Sequence, residues 1–249
     1  MRLVSHTAAS PTATPNAESA WASISADGSF VLFGSRATNV VAGQSDTNGA
    51  VDVFLFERAT GAVTLVSDAS TSPSTTGNGN SDPGSLSADG AFATFSSFAT
   101  NLVTGQTDTN GVSDVFLFTR ATGAVSLISH VPASVTGTAA GHSCCGAISA
   151  NGEWVAFRSG ATNLVTGQSD SNGFGDAFLW HRPTGQTTLV SHVAGSATTT
   201  GNGRVDQDPS VSDDGAFVTF GSTSTNPVSG QVDANGSYDV FLFAGPAEP

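Results

Sequence analysis

The chain has 249 residues and a formal net charge of −13, because 20 acidic residues stand against 7 basic ones. This acidity argues against a nucleic-acid-binding protein, which needs a clustered positive surface. Sixteen Phe and three Trp are enough to build a folded core. No apolar run reaches the roughly 18 residues needed for membrane insertion, and the first twenty residues lack the apolar stretch of a signal peptide.

The sequence repeats itself four times, at intervals of 62 or 63 residues. One anchor is an Asp-Gly or Asn-Gly turn, whose glycines are Gly28, Gly90, Gly152 and Gly215. A second anchor, Leu followed by Val or Ile and then Ser, begins at Leu3, Leu65, Leu127 and Leu189. The repeats span about 20–68, 82–130, 144–192 and 207–243, so we expect 1–249 to be a single domain without a separate catalytic half.

In chain order, each repeat is predicted to form four short strands. In the second copy these strands are residues 84–87, 91–97, 115–119 and 124–129. They are rich in aromatic and β-branched residues, and Gly or Pro interrupts anything longer than about eight residues. Because no segment has the 3.6-residue period of a helix, the chain is predicted to be all-β with roughly sixteen strands.

Large aromatic residues recur at four positions of each repeat, two in the second strand and two in the third. In the first copy they are Phe30, Phe33, Phe54 and Phe56. Successive side chains of a strand point to opposite faces, so Phe30 and Phe33 lie on different faces. A strand that is apolar on both faces needs a sheet stacked between other sheets. Four radially stacked blades of four antiparallel strands, a β-propeller, meet that need.

The phase of the repeat at the two chain ends predicts how the ring closes. The Leu-Val-Ser element at residues 3–5 precedes the first complete repeat, whereas the last repeat stops after its third strand at Phe243. We therefore expect residues 2–6 to supply the fourth strand of the last blade and to close a four-blade monomer. An excerpt from a larger ring and a pair of chains forming eight blades are the alternatives.

Two segments resemble a known repeat family. Residues 85–95 (SLSADGAFATF) and 114–118 (DVFLF) resemble the WD40-like, PD40-type repeats of TolB-type bacterial propellers. The resemblance implies a propeller over nearly the whole chain, although four copies are fewer than the six or more blades usual in the family. It leaves function open, because such propellers serve as docking scaffolds, glycan binders or gating domains of peptidases.

The loop between the second and third strands carries Asp-x-Asn-Gly-x-x-Asp in every repeat. Its polar members are Asp46, Asn48, Asp52, Asp108, Asn110, Asp114, Asp170, Asn172, Asp176, Asp233, Asn235 and Asp239. Ca²⁺ binds about six to eight oxygens from carboxylates, amides and carbonyls. The pattern therefore predicts a structural calcium site in each loop, and metal-free Asn-Gly turns capped by Asp are the alternative.

Other polar positions in the loops are predicted to have anchoring or binding roles. An Asn recurs earlier in the same loop, at Asn39, Asn101, Asn163 and Asn226, where we expect it to bond to the backbone. The connections between repeats are long and variable, and loops of this kind often carry binding sites. Their outstanding residues are Trp21, His142 and Arg204, which we expect to face any protein or glycan partner. Inert linkers are the alternative.

The chemistry of the remaining residues favours binding over catalysis. Cys144 and Cys145 are adjacent and occur in one repeat only, so we expect a vicinal disulfide or two free thiols. No Gly-x-Ser-x-Gly, His-Glu-x-x-His or P-loop motif is present. The sequence thus predicts a non-enzymatic, calcium-stabilised propeller that acts as an extracellular or periplasmic binding scaffold. An accessory gating or glycan-targeting propeller of a larger secreted hydrolase and a purely architectural repeat are the alternatives.

Overall fold

The computed structural model describes residues 1–245 and confirms an all-β chain. Seventeen strands are present, and no helix that could cross a membrane occurs in this part of the chain. Most strands form four antiparallel sheets, called blades 1 to 4 below, in which the strands lie side by side in chain order.

The bounds of the strands follow the repeat. Blade 1 contains β1 (Ser19–Ile24), β2 (Phe30–Ser35), β3 (Asp52–Glu57) and β4 (Val63–Leu65). A small hairpin of β5 (Asp68–Ala69) and β6 (Ser72–Thr76) leads to blade 2. Blade 2 contains β7 (Ser81–Leu86), β8 (Phe92–Ser97), β9 (Asp114–Thr119) and β10 (Ala124–Leu127). Blade 3 contains β11 (Ser143–Ile148), β12 (Trp154–Ser159), β13 (Asp176–His181) and β14 (Gln186–Leu189). Blade 4 contains β15 (Ser210–Val211), β16 (Phe217–Ser222) and β17 (Asp239–Ala244).

The Asp-Gly turn between the first two strands of a blade also joins that blade to its neighbour. In blade 2, the Ser87 hydroxyl donates to Asp89 Oδ1 at 2.8 Å, and the same oxygen accepts the Ala91 N–H at 2.9 Å. Gly90 has a φ of +63°, and a Cβ at this position would lie 2.7 Å from Cγ of Phe30 in blade 1. The turn and the close approach therefore both require glycine.

The core lies between the blades, as the two-sided aromatic pattern predicts. Phe30 of blade 1 is buried in one cluster with Phe95 and Phe116 of blade 2. Phe33 belongs to a second cluster on the opposite side of blade 1. Equivalent clusters join blade 2 to blade 3 and blade 3 to blade 4. Each fully buried Phe contributes about 1.5–3 kcal/mol, so the fold depends on stacking of the blades.

The predicted closure of a four-blade ring is not found among residues 1–245. Blade 4 has three strands, and residues 2–6 form no strand with β17. These residues lie instead on blade 1, where Val4 packs against the cluster that contains Phe33. His6 makes an edge contact with the ring of Phe56 at 6.0 Å. Because no preceding blade covers this side of blade 1, the N-terminal segment buries its apolar surface there.

Candidate functional site

The Asp-x-Asn-Gly-x-x-Asp loops have nearly the same geometry in blades 1 to 3. In blade 1, Asp46 Oδ1 accepts the backbone N–H groups of Asn48 at 3.0 Å and Gly49 at 2.9 Å. Asn48 Nδ2 donates to the carbonyl of Gly77 at 2.6 Å, in the connection to blade 2. The first Asp therefore caps the turn, and the Asn ties the loop to the neighbouring connection.

The second Asp of the pattern begins the third strand and is buried. Asp52 is 1% exposed, and its Oδ1 accepts a hydrogen bond from the Ser67 hydroxyl at 3.3 Å. Burial, reinforced by the charge of Asp46, raises the pKa of Asp52 to about 8. Burial raises the pKa of Asp114 and of Asp176 to about 7, with the charges of Asp108 and Asp170 adding to it.

The first loop leaves carboxylate oxygens without a partner. Oδ2 of Asp46 and Oδ2 of Asp52 are both buried, and neither makes a hydrogen bond. Buried polar atoms are normally satisfied, so an unpaired pair of acidic oxygens fits a cation that would compensate both. No group of three or more His, Cys, Asp or Glu side chains forms a metal cluster within residues 1–245. A calcium ion would therefore need two carboxylates together with amide, carbonyl and water oxygens.

The fourth loop repeats the turn but lacks its surroundings. Asp233 Oδ1 accepts the backbone N–H groups of Asn235 at 2.9 Å and Gly236 at 2.8 Å, as in the other loops. Asn235 Nδ2 lies 3.4 Å from Asp239 Oδ1 instead of bonding to a carbonyl of a following connection. Asp239 is only partly buried, because within residues 1–245 blade 4 has three strands and none lies beside β17 to cover it.

A second candidate site lies where the first strands of blades 2, 3 and 4 converge. A cleft of about 500 Å³, called the central cleft below, is lined there by Asp82, Ser85, Ser96, His142 and Cys144, among others. The lining carries hydroxyl, carboxylate, imidazole and thiol groups next to apolar residues such as Phe98. Such a surface can hydrogen-bond a polar ligand from several directions.

The cysteine pair gives this cleft its most distinctive chemistry. Both cysteines are free thiols. The Cys145 thiol donates to Cys144, and Arg158 Nη2 lies 3.4 Å from Cys144 Sγ, so the pKa of Cys144 falls to about 6. The pKa of Cys145 rises, because it is the donor of that bond and is also buried. The Cys144 thiol is therefore expected to ionise to the thiolate near neutral pH.

Sequence reasoning missed the backbone feature that presents this pair. Cys145 has a φ of +67°, and β11 contains a bulge between Cys144 and Ala147. Trp21 has a φ of +52° at the equivalent bulge of β1. Non-glycine residues with positive φ are strained by about 1–3 kcal/mol and cluster at functional sites. The spacing of 124 residues, two repeats, is the signal that relates the two positions.

The three residues expected on one ligand-binding face are divided between two places. Trp21 belongs to strand β1 rather than to a connection, and lines a cleft with residues 2–5. His142 lines a cleft with Asp206, and burial together with the charge of Arg158 lowers its pKa. Arg204 forms an ion pair with Asp206 at 2.8 Å. His142 and Arg204 therefore share a neighbour, whereas Trp21 lies apart on blade 1.

A further cleft of about 520 Å³ lies between a connection and the last hairpin of blade 3. Its lining includes His130, Val135, Leu164 and Gln186. It contains none of the residues predicted from sequence to bind metal or ligand, and its lining has no charged side chain. The central cleft is the better candidate, because it combines titratable groups with a strained backbone.

Comparisons with known proteins agree on the fold. No family model and no curated protein matches the chain. A solved prolyl endopeptidase is 10% identical, with a TM-score of 0.50, over 93% of this chain and 28% of its own. A TolB from Agrobacterium tumefaciens is 16% identical, with a TM-score of 0.48, over 89% of this chain and 59% of its own. The tricorn protease is 12% identical, with a TM-score of 0.48, over 89% of this chain and 17% of its own.

The chain thus spans less than two thirds of each of these three proteins. At such identities the similarity shows the fold alone, which is the β-propeller implied by the PD40-type repeats.

Proposed function

We propose that the chain is a calcium-stabilised β-propeller that acts as a non-enzymatic binding scaffold outside the cytoplasm. The observation that carries the proposal is the pair of buried, unpartnered carboxylate oxygens on Asp46 and Asp52. Equivalent carboxylates stand in the loops of blades 2 and 3, where Asp114 and Asp176 are also buried. One Ca²⁺ per loop would compensate two charges that otherwise repel each other.

The role of calcium in this proposal is structural. Each loop joins the second strand to the third and has few apolar residues of its own, so its order depends on polar contacts. Sites with two carboxylates and no bidentate Glu belong to the weaker class, with dissociation constants of about 10⁻⁴–10⁻³ M. Such sites fill in extracellular calcium, which supports a location in the periplasm or outside the cell.

The central cleft provides the proposed binding surface. It is lined by hydroxyl and carboxylate groups, and Phe98 presents a ring that is 46% exposed at its edge. Polar groups next to an exposed aromatic ring suit a glycan or a peptide. The chemical class of the ligand follows from this lining and does not depend on the calcium sites.

Thermal melting in Ca²⁺ and in EDTA tests the calcium proposal. Calcium at 100 times its dissociation constant adds about 2.7 kcal/mol per site, so one site should raise Tm by about 5–10 °C. Mg²⁺ at equal ionic strength controls for screening. Asp52→Asn should reduce the calcium response without lowering the Tm in EDTA, because the amide oxygen can still accept from Ser67 and carries no ionisable group that burial penalises. Asp213→Asn, in an exposed turn outside the loops, should leave the response unchanged. An equal Tm in Ca²⁺, Mg²⁺ and EDTA would show that the loops are metal-free turns.

Glycan and peptide arrays test the binding surface. Phe98→Ala should weaken any specific signal from the cleft, because it removes the exposed ring. Phe174→Ala is the matched control, since Phe174 is 49% exposed in the Asp loop of blade 3. Silence on both arrays would favour a purely architectural repeat, and equal loss in both variants would place binding elsewhere.

A further inference from the structure

The face of blade 4 that points away from blade 3 is apolar and uncovered. Val240 is 80% exposed and Leu242 is 66% exposed on this face. Their repeat equivalents are at most 4% exposed in the other blades, namely Val53, Leu55, Val115, Leu117, Ala177 and Leu179. In blades 1 to 3 those side chains are covered by the following blade. Blade 4 therefore presents half of an inter-blade interface.

The other half of that interface is free on blade 1. Ile24 is 64% exposed, whereas its equivalent Ile148 is 9% exposed against blade 2. Arg58 is exposed, whereas its equivalent Arg120 lies over the ring of Phe30 in blade 1 at 4.2 Å. By the same repeat spacing, the ring that Arg58 would cover is that of Phe217 in blade 4, and Phe217 is 46% exposed. The two ends of the chain thus carry matching halves of a contact that is made three times inside it.

Residues 2–6 already lie where the fourth strand of a preceding blade would lie. Val66, which follows β4, packs against Ala99 and Leu102 of blade 2. Val4, its equivalent, packs in a cluster with Ala37 and Val40 of blade 1.

The histidine contacts repeat in the same way. His192 contacts Phe243 edge-on at 5.9 Å, and His6 contacts Phe56 edge-on at 6.0 Å. The segment is therefore positioned on blade 1 for a preceding blade that residues 1–245 do not place there.

Blade 4 lacks the partners that this segment would supply. In blade 1, the Ser67 hydroxyl accepts the Val53 N–H at 3.0 Å and donates to Asp52. Within residues 1–245, no serine hydroxyl bonds to Asp239 of blade 4. The repeat equivalent of Ser67 that would do so is Ser5. The free edge of β17 and the Asp239 carboxylate, which no serine hydroxyl contacts, therefore match residues 2–6 in hydrogen bonding as well as in apolar surface.

We propose that a second copy of this chain occupies both ends and completes an eight-blade ring. Residues 2–6 of each copy form the fourth strand of blade 4 in the other, and each blade 4 packs on the other copy's blade 1. Such a contact between unlike surfaces either closes a ring or extends as a filament. Propellers typically have about four to eight blades, and each copy supplies four. Two copies, with eight blades, are therefore the assembly larger than one chain that stays within this range.

The mass in solution, by size exclusion with light scattering, tests the proposal. The chain of 24.9 kDa should elute at about 50 kDa, as a closed pair. Leu242→Glu should shift the mass to that of one chain, because it places a charge in the proposed contact. Val135→Glu is the matched control, at a residue that is 69% exposed in a connection of blade 2, and should remain a pair. A wild-type protein that has the mass of one copy, or that forms a series of ever larger assemblies, would overturn the proposal.

A cross-link distinguishes exchange between copies from closure within one. Arg2 and Leu242 are the repeat equivalents of Thr64 and Leu55, which are directly paired across β4 and β3. Arg2→Cys combined with Leu242→Cys, in a background without the native cysteines, should give a covalent pair on mild oxidation. Either cysteine alone should give none. A doubly substituted chain that loses both thiols and keeps the mass of one copy would overturn the proposal in favour of the four-blade monomer.

Discussion

The Asp-Gly turn of blade 2 is a position where one methyl group tests the stacking of the blades. In Gly90→Ala, the new Cβ would lie 2.7 Å from Cγ and 2.9 Å from Cβ of Phe30, and φ is +63°. The left-handed backbone costs about 1–2 kcal/mol for a residue with a side chain. Overpacking of a filled contact adds about 1–3 kcal/mol. We therefore expect Gly90→Ala to lower the free energy of unfolding by about 2–5 kcal/mol.

Gly123→Ala isolates the backbone contribution. Gly123 has a φ of +69° in the β9–β10 turn, and a Cβ there would meet nothing within 4 Å. This variant should lose only about 1–2 kcal/mol. Urea unfolding of both variants measures the packing contribution. The double variant Gly90→Ala/Phe30→Leu should recover part of the loss, because it removes the ring that the new Cβ contacts. Equal losses for the two Gly→Ala changes, or no relief from Phe30→Leu, would show that the close approach between blades is not a constraint.

Three further outcomes follow from the hydrogen bonds and pKa values. Cys144, with a pKa near 6, should react with iodoacetamide at pH 7 faster than an ordinary thiol, and Arg158→Met should slow that reaction. Burial raises the pKa of Asp68 from 3.8 to about 6, so the stability it contributes is present below pH 3.8 and lost as pH rises through 6. Between pH 4.5 and pH 7.5, the free energy of unfolding measured in urea should fall by about 1 kcal/mol less in Asp68→Asn than in wild type, after allowance for the solvent exposure of Asp68. An equal fall in the two proteins would contradict this. Asn101→Ala removes the 2.9 Å bond from the Asn78 N–H and should cost about 1 kcal/mol, with faster hydrogen exchange at that amide; unchanged protection there would contradict the anchoring role.

Local features of the fold could be predicted from sequence because each repeat carries its own signals. The Asp-Gly turns fix the hairpins, and the aromatic positions in β2 and β3 require burial on both faces. The anchoring role of Asn101 is confirmed, and Asn39 and Asn163 bond to the backbone in the same way. These features depend on contacts within one repeat or between adjacent repeats.

Features that depend on register or on the chain ends were harder to predict. Strand β7 begins at Ser81, earlier than the sequence indicates, because a bulge after Pro83 lets the strand continue. Arg158 is paired directly with Cys144 across β11 and β12, a register that shifts at the bulge in β11. Ring closure depends on whether blade 4 meets blade 1, which no local pattern encodes.

Calcium bound per chain, measured by equilibrium dialysis at millimolar Ca²⁺, decides whether the Asp loops are metal sites. A calcium-stabilised propeller should bind at least three ions per chain, one for each complete loop in blades 1 to 3. Asp52→Asn, Asp114→Asn and Asp176→Asn should each remove about one ion, because each removes one of the two carboxylates of a site. Binding that is absent at millimolar Ca²⁺, or that survives all three substitutions together, would contradict the calcium proposal.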